Sequence, residues 1–300
     1  MNIRLEQPTD YREVENLTRE AFWNVYRPGC TEHYVLNQYR TNPDFIPELD
    51  LVMEEGDGEH QSPSKIIGHV MFSKAEIILD NDTHFPSWTF GPISIHPDYK
   101  RKGYGLKLLQ FALEKARQMG IGLLQMEGNI EFYKHAGFDL ASKLRIHYHT
   151  EARESEVPFF LAQELIPGYW GNREGTYCPP KGYFVADENS EAFVAYEATF
   201  PEKEKVFQEG QLPQFCQSCG MPLTRIEDCG TNADGSTNFD YCKYCYKDGK
   251  FLQECTMDEM IEHCAQFVDE VNKQMPKPMT KEEYKQMMRG FFPMLKRWRK

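Results

Sequence analysis

The stretch Ile93-Ser94-Ile95-His96-Pro97-Asp98-Tyr99-Lys100-Arg101-Lys102-Gly103-Tyr104-Gly105-Leu106-Lys107-Leu108-Leu109 reads as a strand, a basic turn and the opening of an amphipathic helix. That order is an anion-binding device. A helix N-terminus presents backbone N–H groups with no intrahelical partner and the positive end of the peptide dipole. Gly103 and Gly105 carry no Cβ, so a ligand can approach the backbone closely. Lys100, Arg101 and Lys102 add positive charge at the same turn. The guest chemistry is a phosphate or pyrophosphate. A lone G-x-G also describes an ordinary tight turn; the strand before it and the helix after it point to phosphate.

Working outward, Leu108, Leu109, Ala112, Leu113 and Ala116 form one helical stripe, and Gly120 supplies its stop. A short apolar strand, Ile121 to Met126, follows. Next come Glu127-Gly128-Asn129 and then Glu131-Phe132-Tyr133-Lys134-His135-Ala136-Gly137-Phe138. Pro92, just before Ile93, predicts a bulge or edge, because proline lacks the ladder donor. Such a bulge splays the sheet and opens a gap between neighbouring strands.

This succession resembles the GNAT superfamily of N-acetyltransferases over about residues 1–170. The superfamily's Q/R-x-x-G-x-G/A turn is matched by Lys100-Arg101-Lys102-Gly103-Tyr104-Gly105, with Lys at the first position. Its Tyr-x-x-x-Gly-Phe is matched by Tyr133 to Phe138. The Asn usually found some seven residues before that Tyr is absent. Asn129 stands only four before it, which predicts a shortened helix after the fifth strand. The resemblance implies an α/β (α+β) fold with a mixed, mostly antiparallel central sheet flanked by helices. It also implies acetyl-CoA as co-substrate. The diphosphate would sit on the backbone of Arg101, Lys102, Gly103, Tyr104, Gly105 and Leu106, and the pantetheine arm would pair with Ile93, Ser94 and Ile95.

The implied reaction sets requirements. An amine of pKa about 10.4 is mostly charged at neutral pH and must lose a proton before attacking a thioester. Glu127, at the end of the strand beside the gap, is the candidate base; its alternative reading is a surface carboxylate. The departing thiolate needs a proton, and Tyr133 matches the family's usual general acid. Its alternative reading is a packed aromatic before the Gly-Phe turn. A catalytically silent acyl-CoA sensor, or an interaction protein on the same scaffold, is the competing functional class.

The second signal is Cys216-Gln217-Ser218-Cys219 with Cys242-Lys243-Tyr244-Cys245, two C-x-x-C units separated by 22 residues. Four thiolates at this spacing fill a zinc tetrahedron and leave no open coordination position, which makes the metal structural; the alternative reading is a redox pair, though a lone redox C-x-x-C needs no second copy. Cys229, inside the intervening loop, is the rival ligand; Cys30, Cys178, Cys255 and Cys264 read as small buried side chains. Cys-x-x-Cys-Gly-Met-Pro-Leu, the Tyr-Cys-x-Tyr-Cys-Tyr run and the closing Phe-Phe-Pro-x-Leu-Lys-Arg-Trp together resemble a bacterial putative zinc-ribbon family over about 213–300. Thr256 and Thr280 open capping boxes of two C-terminal helices. Residues 277–300 carry eight Lys/Arg against two Glu, so a basic tail faces solvent, an acidic partner or the acidic body of its own chain.

Three hundred residues suggest about two domains. The expected division is 1–172, an added hairpin and linker over 173–212, and 213–300. Within it, Asp10 and Glu13 resemble a capping box before a helix, Gly56-Asp57-Gly58 starts a polar loop, Leu144 to His149 and Phe159 to Leu165 read as a last hairpin, and Tyr183 to Tyr196 reads as the added hairpin. A net charge of −12 argues against nucleic-acid binding. No apolar run approaches the ~18 residues of a membrane helix. Asp10, Glu13 and Glu15 interrupt the region where a signal peptide would have its apolar core. Paired C-x-x-C units in a chain with nine cysteines fit a reducing, cytoplasmic setting. The partners expected are an amine substrate and, through the zinc ribbon or basic tail, a protein.

Overall fold

A computed structural model describes residues 1–56, 65–188, 190–208, 211, 214–273, 275 and 278–299. The chain forms two units, Met1–Trp23 with Cys30–Lys203, and Asn24–Gly29 with Glu204–Lys300. The first runs β1 (Asn2–Leu5), α1 (Tyr11–Phe22), α2 (Glu32–Tyr39), β2 (Leu51–Glu54), β3 (Ile66–Leu79), β4 (His84–Ile95), α3 (Tyr104–Gln118) and β5 (Leu123–Glu127). It continues through α4 (Ile130–Tyr133), β6 (Asp139–Leu140), β7 (Ile146–Tyr148), β8 (Phe160–Glu164), β9 (Gly175–Tyr177), α5 (Val185–Glu188) and α6 (Ser190–Glu197). The sheet order is β1-β2-β3-β4-β5-β8-β6, with β9 on the far end of β3 and β7 on β9. The β4–β5 and β7–β9 neighbours are parallel and the others antiparallel, the mixed sheet expected.

Alternation along the strands sorts the two faces. Val70, Phe72, Phe90, Leu124 and Met126 join the α3 stripe of Leu108, Leu109, Ala112, Leu113 and Ala116 in one core. Burial of each large side chain there contributes about 1.5–3 kcal/mol. On the opposite face, Val14 and Leu17 of α1 and Val35, Leu36 and Tyr39 of α2 cover Val52, Ile66 and Met71. The helix after β5 is short, as expected: α4 spans four residues, with the Asn129 side chain accepting from Glu131 N–H at 2.9 Å.

Four local expectations are corrected. Asp10 precedes α1 but caps nothing; Arg4 draws its carboxylate away, at 2.5 Å, while Glu13 accepts from Ile66 N–H at 3.0 Å. Leu144–His149 and Phe159–Leu165 do not pair as a hairpin, since β8 lies between β5 and β6 and β7 runs parallel to β9. Tyr183–Tyr196, expected as a hairpin, is helical at Val185–Glu188 and Ser190–Glu197. There Phe193, Tyr196 and Phe200 recur at helical spacing and pack on His33. Cys178 is exposed rather than buried. The polar loop expected from Gly56 onward, and most of 208–213, fall outside the described residues.

An ionic network is buried at the β1 end of the sheet. Arg40 reaches both oxygens of Glu6, at 3.0 and 2.8 Å, and Glu15 at 2.5 Å. His69 Nε2 lies 2.7 Å from Asp50. Glu6, Asp50 and His69 are close enough together to hold a metal ion, but the Arg40 guanidinium already supplies the cation. Burial pushes the Glu6 carboxyl up to about 7. Replacing the partner of buried charges leaves them uncompensated, which costs about 3–5 kcal/mol. Arg40→Met is therefore expected to lower the unfolding free energy by that amount in urea titrations, and Glu6→Gln in the same chain should restore part of it.

The second unit contains three small hairpins, Gln214–Phe215 with Pro222–Leu223, Cys229–Thr231 with Thr237–Cys242, and Tyr246–Lys247 with Lys250–Phe251. Helices follow at Met257–Cys264, Val268–Asn272 and Lys281–Phe291. Both expected capping boxes form, Thr256 with Glu259 and Thr280 with Glu283. The basic tail is engaged within this unit rather than simply solvated. Lys296 pairs with Asp240 at 2.9 Å, and Trp298 Nε1 donates to Ser218 O at 2.7 Å.

Candidate functional site

The turn from Arg101 to Leu106 is built by backbone conformation. Arg101 (φ +59°) and Gly103 (φ +83°) are left-handed, and Gly103 is the N-cap of α3. A left-handed residue leading into a helix turns successive N–H groups to one side, forming an anion-binding concavity. Lys107 N–H is the first taken by the helix, donating to Gly103 O at 3.0 Å. Among the described residues, the N–H groups of Arg101 through Leu106 have no acceptor. A Cβ built on Gly103 would meet no atom within 4 Å, so that side of the turn is open.

The three basic side chains divide. Lys100 Nζ donates to Ala21 O at the end of α1, 2.8 Å away, and partial burial lowers its pKa. Lys102 Nζ donates to Asp98 O at 2.8 Å. Arg101 is exposed beside the open amides.

The gap expected from Pro92 is present. Val70 opposes Ile93 and Phe72 opposes Phe90, so Gly91 and Pro92 bulge from β4. Among the described residues, β4 and β5 pair only at Trp88 and Leu124, and the strands part beyond that point. His96 N–H donates to Ile67 O at 2.9 Å. Bonded and non-bonded pairs alternate in an antiparallel ladder, so Ser94 bonds His69 while Ile93 and Ile95 aim their backbone groups at the gap. Ser94 is thus withdrawn from the gap; its hydroxyl donates to Thr18 Oγ1 at 3.0 Å, fully buried.

Glu127 and Tyr133 flank the gap from opposite faces. Leu124 and Met126 face α3, so Gln125 and Glu127 face the other way. Glu127 is exposed and accepts from the Tyr148 hydroxyl at 2.8 Å. Burial, with the Glu127 carboxylate beside it, pushes the Tyr148 phenol well up. Tyr133 lies on the α3 face, 9% exposed, its ring against Phe90, Phe132 and Phe138. Gly128 permits this placement: a Cβ there would come within 2.4 Å of the Tyr133 ring. Sequence reasoning missed Tyr148 and Gln125. The one available signal was Gln125 as a polar residue inside the apolar run Leu123–Met126.

In the second unit, Cys216, Cys219, Cys242 and Cys245 place their Sγ atoms within 4.8 Å of one another. A zinc tetrahedron with bonds of about 2.3 Å has edges of about 3.8 Å; Cys219 and Cys242 Sγ are 3.7 Å apart. Cys242 N–H donates to Cys216 Sγ at 3.2 Å, a bond that favours the thiolate. The donor set fits a structural Zn²⁺. Cys229 stands outside the cluster and donates to Arg225 O at 3.7 Å.

Comparisons agree with both units. Among curated proteins, the chain is 26% identical over 104 residues to the uncharacterized N-acetyltransferase YjhQ of Escherichia coli, covering 32% of this chain and 57% of that one. It is 29% identical over 93 residues to the ribosomal protein bS18-alanine N-acetyltransferase of Escherichia coli, covering 29% of this chain and 59% of that one. The chain therefore spans under two thirds of the length of each. A solved Escherichia coli GNAT family N-acetyltransferase (YhbS), in complex with CoA, shares the fold at a TM-score of 0.50 and 20% identity, over 61% of this chain and 91% of that one. The model of the acetyltransferase (GNAT) family matches residues 13–138, and that of the putative zinc ribbon domain matches 215–299. The chain is thus similar to the acetyltransferase (GNAT) family over residues 13–138 and to the putative zinc ribbon domain over residues 215–299.

Proposed function

We propose that the first unit is an acetyl-CoA-dependent N-acetyltransferase and that the second is held together by a structural zinc. The observation that carries the first reading is the run of acceptor-free N–H groups from Arg101 to Leu106 beside the parted β4 and β5. Those amides suit a diphosphate, and the backbone of Ile93 and Ile95 suits an amide-bearing arm laid in the gap. Acetyl-CoA supplies an activated acyl thioester. Glu127 takes the proton of the amine on one face of β5, and Tyr133 holds a proton for the departing sulfur on the other. Tyr148 orients Glu127 through its hydroxyl.

Acetyl-CoA binds only the folded state and should raise the melting temperature of the full chain. Gly103→Glu is expected to abolish that shift, because it places a carboxylate where the diphosphate belongs. Gly103→Ala carries the same left-handed backbone strain without the charge, and should lower the melting temperature yet keep most of the shift. Equal stabilisation of wild type and Gly103→Glu would sink the assignment. Thiol release in the presence of amines separates a working transferase from a silent sensor.

A further inference from the structure

The sheet face opposite α3 should be apolar from end to end, since α1 and α2 cover one part of it and the cluster around Ile77, Ala162 and Tyr177 buries the rest. It is not. On β3, Met71 belongs to one apolar cluster and Ile77 to another. Between them stands Ser73, opposite Thr89, and then Ala75, opposite Ser87. Gln125 continues the polar seam onto β5 and donates to the Ser87 hydroxyl. Ser73, Ser87, Thr89 and Gln125 are at most 4% exposed. The seam reaches the place where β4 and β5 part, and Glu127 stands at its rim.

Phenols close over this seam. Tyr177 lies beside Thr89, Tyr183 donates to Gly91 O at 3.1 Å, and the Tyr39 ring packs on Tyr183 at 4.8 Å. Burial pushes the Tyr39 phenol up to about 12 and those of Tyr177 and Tyr183 up as well, so all three are neutral hydroxyls at neutral pH. Two fully buried polar atoms here, Tyr39 Oη and Gln125 Oε1, have no hydrogen-bond partner among the described residues. An unmade buried hydrogen bond costs stability with no structural return. Groups of that kind beside a reaction gap are what a ligand would satisfy.

Resting on the acetyltransferase reading above, we infer that this seam is the acceptor site and that it takes a small, uncharged-bodied primary amine bearing hydroxyl groups. The hydroxyls and the Gln125 amide match a hydroxylated body, and Glu127 matches the ammonium. None of the side chains that form the seam is cationic, so an acceptor carrying a carboxylate or phosphate would be desolvated there without a counter-ion. Tyr39 and Tyr177 are buried over the seam, which suits a small body behind the amine.

The test uses the full-length, zinc-loaded chain and thiol release from acetyl-CoA. The panel is ethanolamine and serinol, the anionic counterparts glycine and serine, and an alanine-initiated hexapeptide. Ethanolamine or serinol should give the highest kcat/KM. Tyr39→Phe removes a partnerless buried hydroxyl and should keep or raise the melting temperature, whereas Gln125→Leu also removes the bond to the Ser87 hydroxyl and is judged by KM alone. Each should raise KM for the hydroxylated amine about tenfold, with kcat changed less and the acetyl-CoA thermal shift intact. A purely structural role predicts the reverse, a lower melting temperature with KM unmoved, and that result overturns the inference. Preference for the hexapeptide or for the anionic amines overturns it too, while leaving the acetyltransferase reading standing. No thiol release with any amine, from protein that acetyl-CoA still stabilises, overturns both.

Discussion

Chelation of the metal from the full-length chain is expected to unfold the second unit and spare the first. Structural zinc in finger-type sites contributes about 10–16 kcal/mol of binding free energy that doubles as folding free energy. The second unit shows why so much depends on it. Its core includes Cys216, Cys229, Cys242 and Cys245 with Leu223, Met260, Ile261, Ala265, Met288, Phe292 and Leu295. The ligand thiols Cys216, Cys242 and Cys245 are thus core residues too, and four thiolates without a cation would repel one another. Limited proteolysis after chelation should cut within 214–245 and within the C-terminal helices as well, because Trp298 is tied to the first knuckle through Ser218. The first unit has cores of its own, so its acetyl-CoA-dependent thermal shift should survive. Cys219→Ser should lose zinc by elemental analysis and Cys229→Ser should keep it, since Cys229 stands outside the cluster. Zinc-free protein after purification under reducing conditions, or full zinc retention in a Cys219→Ser/Cys242→Ser chain, would refute the site.

What the sequence made legible were features set by local chemistry. The α3 stripe, the Gly103 turn, the Pro92 bulge, the two capping boxes and the four cysteines each depend on a few neighbouring residues, and each is present. Failures came where distant partners decided. Asp10 sits at a cap position, but its carboxylate is held by Arg4 and by Gln7 N–H, not by the N–H groups of the helix. Tyr183–Tyr196 held two apolar runs of strand length, and its helical register is fixed by His33 and Tyr34, some 160 residues earlier. Ile93, Ser94 and Ile95 form one strand edge in the sequence pattern, whereas the ladder's alternation turns Ser94 to His69. The polar seam was invisible because Ser73, Thr89 and Gln125 come from three strands, and no single strand shows a pattern.

Turnover should separate the two groups flanking the gap. Glu127→Gln keeps the size of the side chain and the Tyr148 contact but removes the base; general-base effects of about 10²- to 10⁴-fold are expected in kcat/KM. The residual activity should climb with pH, because an amine already deprotonated in solution no longer needs Glu127. Tyr133→Phe keeps the ring that packs on Phe90, Phe132 and Phe138 and removes only the hydroxyl. Folding and acetyl-CoA stabilisation should therefore be unchanged while kcat falls about 10²-fold or more. This loss should not recover as pH rises, since the missing group donates a proton rather than accepting one. Gly128→Ala supplies an independent check. It leaves both side chains in the chain but forces a Cβ to within 2.4 Å of the present Tyr133 ring position, so the ring must move. The same kcat deficit is expected there with Glu127 intact. Wild-type turnover in Tyr133→Phe would return Tyr133 to a packing role. A Glu127→Gln enzyme with an unaltered pH profile would reduce Glu127 to an exposed carboxylate held by Tyr148.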